Sequence, residues 1–323
     1  MALRTRLTEL LDIEHPVMLA GMGGVSYSAL VAAVSDAGGI GTLGASTMGV
    51  DELPKEMAAV RAATSKPFGV DLLTAVPGQV ERGIQSVIDG GANLFVAGLG
   101  VPREVVDLLH SKNVLVASMC GKVRHAVSAV AGGVDFVIAQ GTEGGGHTGT
   151  VATMSLVPQV VDAVGDKVPV VAAGGLFDGR GLAAAMALGA DGVWLGTRFI
   201  ATPEARAVNG YKETLLALPE DGTVITKAFT GKTCRVVRND WTNHYDQHPE
   251  ELQPFPAQAV ASMKAGANHL GAPTGTQVDV DREFMPCGQG VGAIDELVPA
   301  GELVRRVVAE TERTLERIAA VRR

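Results

Sequence analysis

The segment Gln140–Gly149, QGTEGGGHTG, sets one histidine, His147, in a frame of glycines. An imidazole titrates near neutral pH and is the commonest general acid or base in enzymes. A solvated loop histidine is the plain alternative, but glycines on both sides keep the ring accessible and let the backbone approach a ligand. Glu143, four residues earlier, is either a functional group of the same site or a helix-start or solvated carboxylate. Two further turns, AAGGL (Ala172–Leu176) and LGTRF (Leu195–Phe199), place Gly174, Gly175, Gly196 and Thr197 where free N–H groups and one hydroxyl suit a phosphate. The alternative for both is a tight turn without a ligand.

Other combinations are weaker. GMGGVS, from Gly21, lacks the third glycine of a dinucleotide fingerprint, and no acidic residue closes the second strand. No GxxxxGK[ST] occurs, which removes a P-loop. His244 and His248 have the i, i+4 spacing of helical metal ligands, but Pro249 follows and no HExxH is present, so no metal site is expected. Cys120 reads as a packing thiol.

The elements that must carry these residues repeat. Short β-branched runs predict eight strands, at Pro16–Ala20, Gly38–Leu43, Pro67–Leu72, Asn93–Ala97, Val114–Ser118, Asp135–Ala139, Pro169–Ala172 and Gly192–Leu195. Between them the helical period predicts Ser26–Ala37, Asp51–Thr64, Gly78–Gly90, Pro102–Ser111, Val123–Gly132, Leu156–Val164 and Gly179–Leu188. Near-continuous apolar strands such as FVIA and PVVAA are buried on both faces, as parallel strands under helices are. Eight alternating units imply a closed (β/α)8 TIM barrel. Function then sits at the C-terminal strand ends, which selects Gly21, Met22, Gly23, Asp71, Met119, Cys120, Gln140–Gly149, Gly174, Gly175, Gly196 and Thr197 without reference to any motif. From Phe199 to Pro286 prolines, charges and polar aromatics rise, which predicts a mostly helical insertion after strand eight. Residues 1–198 with 287–323 form the expected barrel, 199–286 the expected cap, and Glu302–Ala320 a terminal helix packing back on the barrel.

Composition sets the outer bounds. The 323 residues carry 41 glycines, 46% apolar and 19% charged residues, which excludes a disordered chain or a coiled coil. A net charge of −8 argues against nucleic acid or anionic membrane partners, leaving a small molecule. No apolar run reaches the roughly 18–20 residues of a membrane span. No secretory leader is visible, and three scattered cysteines fit a reducing cytoplasm.

HPVMLAGMGGV, SDAGGIGTL, KPFGVDLL, VRHAVSAVAGGVDFVIAQGTEGGGHTG, VPVVAAGGLFDGRGLAAAMALGADGVWLGTRF and GQGVGAIDELVPAGELV together resemble the nitronate monooxygenase family, formerly the 2-nitropropane dioxygenases. The likeness covers most of the chain. It implies an FMN-binding TIM barrel, in a family that also holds NAD(P)H:quinone reductases and flavin-dependent enoyl-ACP reductases. By position it implies FMN against Gly21, Met22 and Gly23, with its phosphate at Gly174, Gly175, Gly196 and Thr197. It makes His147 the active-site histidine and sets Gln140, Gly145, Gly288 and Gln289 near the flavin. Three departures stand out. Asp71 replaces the usual Asn, Met119 stands where some relatives carry Lys, and LAGMGGV replaces the QAPM form. The activity implied first is oxidation of alkyl nitronates by O2; the alternative is NAD(P)H-dependent reduction of a quinone or enoyl thioester. A flavin-free phosphate-ligand enzyme is the third reading.

Overall fold

A strand with apolar side chains on both faces needs cover on both, and the fold supplies it. The computed structural model describes residues 3–49, 51–72, 79–98 and 100–321. Its strands begin with β1 (Val17–Leu19), β2 (Gly41–Gly44), β3 (Phe68–Leu72), β4 (Leu94–Ala97), β5 (Leu115–Cys120) and β6 (Phe136–Gln140). After the two-residue β7 (Gly146–His147) come β8 (Val170–Ala173) and β9 (Gly192–Leu195). All but β7 form one parallel sheet in the order β1-β9-β8-β6-β5-β4-β3-β2. The Met18–Ile40 bridge brings β2 back to β1, so the sheet closes as a TIM barrel. Alternate side chains divide the core. Met18, Ile40, Val96, Phe136, Ile138, Val171 and Trp194 fill the interior, while Val17, Leu19, Val70, Val137, Val170 and Val193 meet the helices.

Those helices are α2 (Ser28–Asp36), α3 (Glu52–Ala63), α4 (Gln79–Asp89), α5 (Arg103–His110), α6 (Val123–Ala131), α7 (Thr153–Val164) and α8 (Gly179–Ala187), preceded by α1 (Arg6–Leu11). The sequence reading did not anticipate α1. Its Leu7 and Leu11 join the interior cluster, and Arg6 reaches Asp191 through Nε (3.0 Å) and Nη2 (2.8 Å). Each expected strand and helix is present, with ends shifted by a few residues. The shift at the start of the second strand follows from Gly38, whose φ of +88° makes it a turn rather than strand. The expected helix start at Gly78 lies outside the described residues.

The segment after β9 holds α9 (Thr197–Ile200), α10 (Asn209–Ala217), α11 (Asp240–Gln247) and α12 (Ala257–Lys264). It also holds a hairpin absent from the helical expectation, β10 (Thr223–Thr226) and β11 (Cys234–Val237). β11 pairs antiparallel with β7, setting Cys234 opposite His147 and Arg235 opposite Gly146. α13 (Ala300–Ala320) packs on α8 and α2. Among the described residues no helix is long and apolar enough to cross a membrane.

Candidate active site

The loops after β8 and β9 carry backbone donors that the chain does not use. Gly174 and Gly175 have φ of +102° and +73°, a left-handed path that side-chain-bearing residues rarely take. A Cβ on Gly174 would lie 2.8 Å from Gly141 O. Among the described residues, the N–H groups of Gly174, Gly175, Gly196 and Thr197 donate to no acceptor in the chain. Thr197 Oγ1 accepts from Gly288 N at 2.9 Å, which leaves its own proton free to donate outward. Among the described residues, four N–H groups and one O–H on these two turns are thus without an acceptor, in a chain of net charge −8.

The same contacts draw the other loops in. A Cβ on Gly145 would lie 2.8 Å from Gly288 N, and Gln289 N donates to Glu143 O at 2.9 Å. On the opposite side, a Cβ on Gly196 would sit 3.4 Å from Met22 Sδ, and one on Gly21 would collide with Asp71 at 2.2 Å. Gly23 faces Ser46 of the loop after β2. The residues selected from the sequence therefore share one end of the barrel. Two of them take plain structural roles. Glu143 accepts from Thr153 N at 2.9 and 3.1 Å, so it caps the start of α7. Cys120 is buried, its thiol is directed at Ser118 O (3.6 Å), and burial pushes its pKa up to about 12, too high for a thiolate role at neutral pH. His244 and His248 lie on the exposed surface of α11 and its end, beside Glu251 (2.8 Å) and Glu250 (3.4 Å), away from these loops.

His147 is held from three directions. Gln140 Nε2 donates to its carbonyl at 3.0 Å, β11 pairs with its backbone, and Nε2 lies 3.1 Å from Thr230 Oγ1. Thr230 Oγ1 also lies 3.1 Å from Lys232 O and 3.2 Å from Lys232 N. One hydroxyl proton cannot serve both the carbonyl and the imidazole. When it goes to Lys232 O, Nε2 carries the ring proton and Nδ1 is the free lone pair. With Thr230 occupying Nε2, Nδ1 is the nitrogen left for chemistry. Solvent reaches the ring, yet burial and the Lys232 cation lower its pKa, so it is a neutral base at pH 7. Phe255 packs edge-on against the ring at 6.4 Å, and Lys232 Nζ stands 5.1 Å from the Phe255 centroid.

Thr230, Lys232 and the buried Arg235 were not legible as site residues. Arg235 holds the histidine loop through Thr142 O (2.9 Å) and the hairpin through Thr223 Oγ1 (3.0 Å). Their signal was the hairpin itself, TVIT and CRVV, two β-branched runs bracketing a Gly-containing turn. Asp71, by contrast, lies at the expected strand end. Its carboxyl is only partly exposed, meets no donor or cation among the described residues, and is pushed by burial up to about 8.

A family model described as nitronate monooxygenase matches residues 4–82 and 74–310. The chain belongs to the nitronate monooxygenase family. Within it, the chain is 44% identical over 241 residues to a Mycobacterium tuberculosis protein named (3aS,4S,5R,7aS)-5-hydroxy-7a-methyl-1-oxo-octahydro-1H-indene-4-carboxyl-CoA dehydrogenase, covering 74% of this chain and 68% of that one. It is 34% identical to a probable nitronate monooxygenase of Staphylococcus saprophyticus, over 80% of this chain and 85% of that one. FabK from Thermotoga maritima superimposes with a TM-score of 0.90 at 34% identity, covering 99% of each chain. Membership of the nitronate monooxygenase family makes the protein an oxidoreductase on a TIM barrel. One relative's name specifies a CoA thioester and the other's a nitronate, so the family assignment leaves the substrate open.

Proposed function

We propose that this protein is an FMN-dependent oxidoreductase that adds or removes hydrogen on the carbon skeleton of a coenzyme A thioester. The observation that carries the reading is the 44% identity to a CoA-thioester dehydrogenase, ten points above the nitronate monooxygenase relative. The β8 and β9 turns support the cofactor. Four unclaimed N–H groups and the Thr197 hydroxyl fit a phosphate, and the missing Cβ of Gly21 and Gly23 lets Asp71 and Ser46 close in, which brings the β1 loop and the end of β3 to the same mouth. Gln140 and Gly145 lie on the loop that closes the same end.

FMN, when bound, supplies hydride transfer. The chain supplies the proton step and the enclosure. His147 Nδ1 takes a proton from the substrate carbon beside the activating carbonyl, or returns one in the reductive direction, with NAD(P)H as the reductant there. Thr230 fixes which nitrogen acts. The segment 199–286 caps the mouth: its β11 binds the histidine loop and its Phe255 borders the ring, which limits water and shapes access.

A second reading, oxidation of alkyl nitronates by O2, is favoured by the name of the family model and by the S. saprophyticus relative. Anaerobic mixing of the flavin-loaded protein with an alicyclic acyl-CoA, with propyl-2-nitronate and with NAD(P)H separates the two. Bleaching by the acyl-CoA, or by NAD(P)H with reoxidation by an enoyl-CoA, is the expected result. Bleaching by the nitronate alone would replace the first reading with the second.

A further inference from the structure

Asp71, the penultimate residue of β3, has Gly44 of β2 and Val96 of β4 as its register partners. Across the mouth stands Gly21, so close that a Cβ there would lie 3.0 Å from Asp71 Oδ2. None of these neighbours titrates. Among the described residues, the other titratable or charged groups named at the mouth are Cys120 at the end of β5, Glu143 and His147 after β6, and Lys232 and Arg235 on the insertion. Among the described residues no hydrogen bond or ion pair reaches the carboxyl. An ionised carboxylate in that position would be partly desolvated with nothing among the described residues to offset its charge, whereas a neutral acid keeps one donor and one acceptor. Burial favours the neutral form, since the carboxyl titrates at about 8. A flavin's ring carbonyls and ribityl oxygens accept hydrogen bonds, and its phosphate is already anionic. A second anion beside them is repelled, while an O–H is welcomed.

We propose that Asp71 meets the flavin as a neutral carboxylic acid, so that flavin binding is coupled to holding a proton on this side chain and weakens as the carboxyl ionises. The proposal rests on the reading that FMN occupies this end of the barrel. Asp71 is separated from the β8 and β9 turns by β1 and β2, so the proton-linked contact belongs to the ring or ribityl chain rather than the phosphate.

The test is the affinity of flavin-free protein for FMN and for riboflavin, by fluorescence quenching from pH 6.5 to 9.5. One proton titrating at about 8 weakens binding of both by about tenfold between pH 7 and pH 9. Asp71→Asn, which keeps a donor at every pH, should bind with the same affinity across that range. Calorimetry of the unsubstituted protein at pH 8.5, in two buffers of different ionisation heat, should register uptake of about three quarters of a proton per flavin, for riboflavin as for FMN. This measurement needs no variant and decides the matter if Asp71→Asn does not fold. A flat profile in the unsubstituted protein, an undiminished slope in Asp71→Asn, or a slope with FMN but not riboflavin would each overturn the proposal. Failure of FMN to bind at any pH would overturn the cofactor reading instead.

Discussion

Two aspartates at opposite ends of the barrel are treated oppositely. Asp191, at the closed end, receives both Nε and Nη2 of Arg6 and the N–H of Val170 (3.0 Å). Asp71, at the open end, receives nothing among the described residues and is driven toward neutrality. At the closed end both oxygens of the Asp191 carboxylate are paired. Among the described residues the open end holds unpaired groups: a lone carboxyl, four idle N–H donors and a histidine with one free nitrogen. Unpaired groups of this kind are costly in a free protein and useful in a liganded one, which matches the division of labour in such barrels between stability at the bottom and chemistry at the top.

The strongest challenge to that division is His147→Ala. Loss of acid–base help should slow turnover about 10²–10⁴-fold. Unfolding free energy should fall by only about 0.5–1.5 kcal/mol, the worth of the Thr230 bond, because the ring is otherwise solvent-accessible. Steady-state rates and denaturant titration on the same preparation check both; a large stability loss with retained turnover would make His147 a structural residue.

The two aspartates themselves should part company. Asp191→Ala strips Arg6 and Val170 N of their acceptor and should cost about 1–3 kcal/mol while leaving kcat unchanged. Asp71→Asn should stabilise the flavin-free protein, in a pH-dependent manner. An unfolded aspartate ionises near 3.8 and the folded one near 8, so between these values the folded state holds a proton that the unfolded state releases. Stability of the unsubstituted protein therefore falls as pH rises through this window, and the Asn variant escapes the fall. The difference in Tm between the two should be negligible at pH 4 and widen up to pH 8. A constant difference would place Asp71 with Asp191 as an ordinary structural carboxylate.

The smallest effect is expected at Thr230. Thr230→Val removes the partner of His147 Nε2, a bond worth about 0.5–1.5 kcal/mol, and should lower turnover by about 2- to 10-fold. It should also raise the pH at which activity is gained if the ring relaxes toward solvent and recovers its ordinary basicity. Thr230→Ser should restore both rate and pH profile, an outcome that simple packing by the threonine methyl would not give.

The barrel was legible because its evidence is local and repeated. Strands such as FVIA and PVVAA are apolar on both faces, and a run buried on both faces leaves few architectures. Strand ends then followed from the fold rule, which is why Asp71, Gln140, Gly174 and Gly196 could be selected before any contact was known. The sequence by itself determined the parallel barrel, the glycine turns and the position of His147. Only the tertiary structure decided what each polar group meets. Glu143 could have served the site or the helix start until Thr153 N was seen to claim it. Thr230 lies 83 residues from His147, and no local periodicity reports a pairing between β7 and β11. The protonation of Asp71 likewise depends on what does not surround it. Its burial, and the lack of a cation beside it among the described residues, are properties of three strands and a loop brought together, so the letter at position 71 cannot carry them.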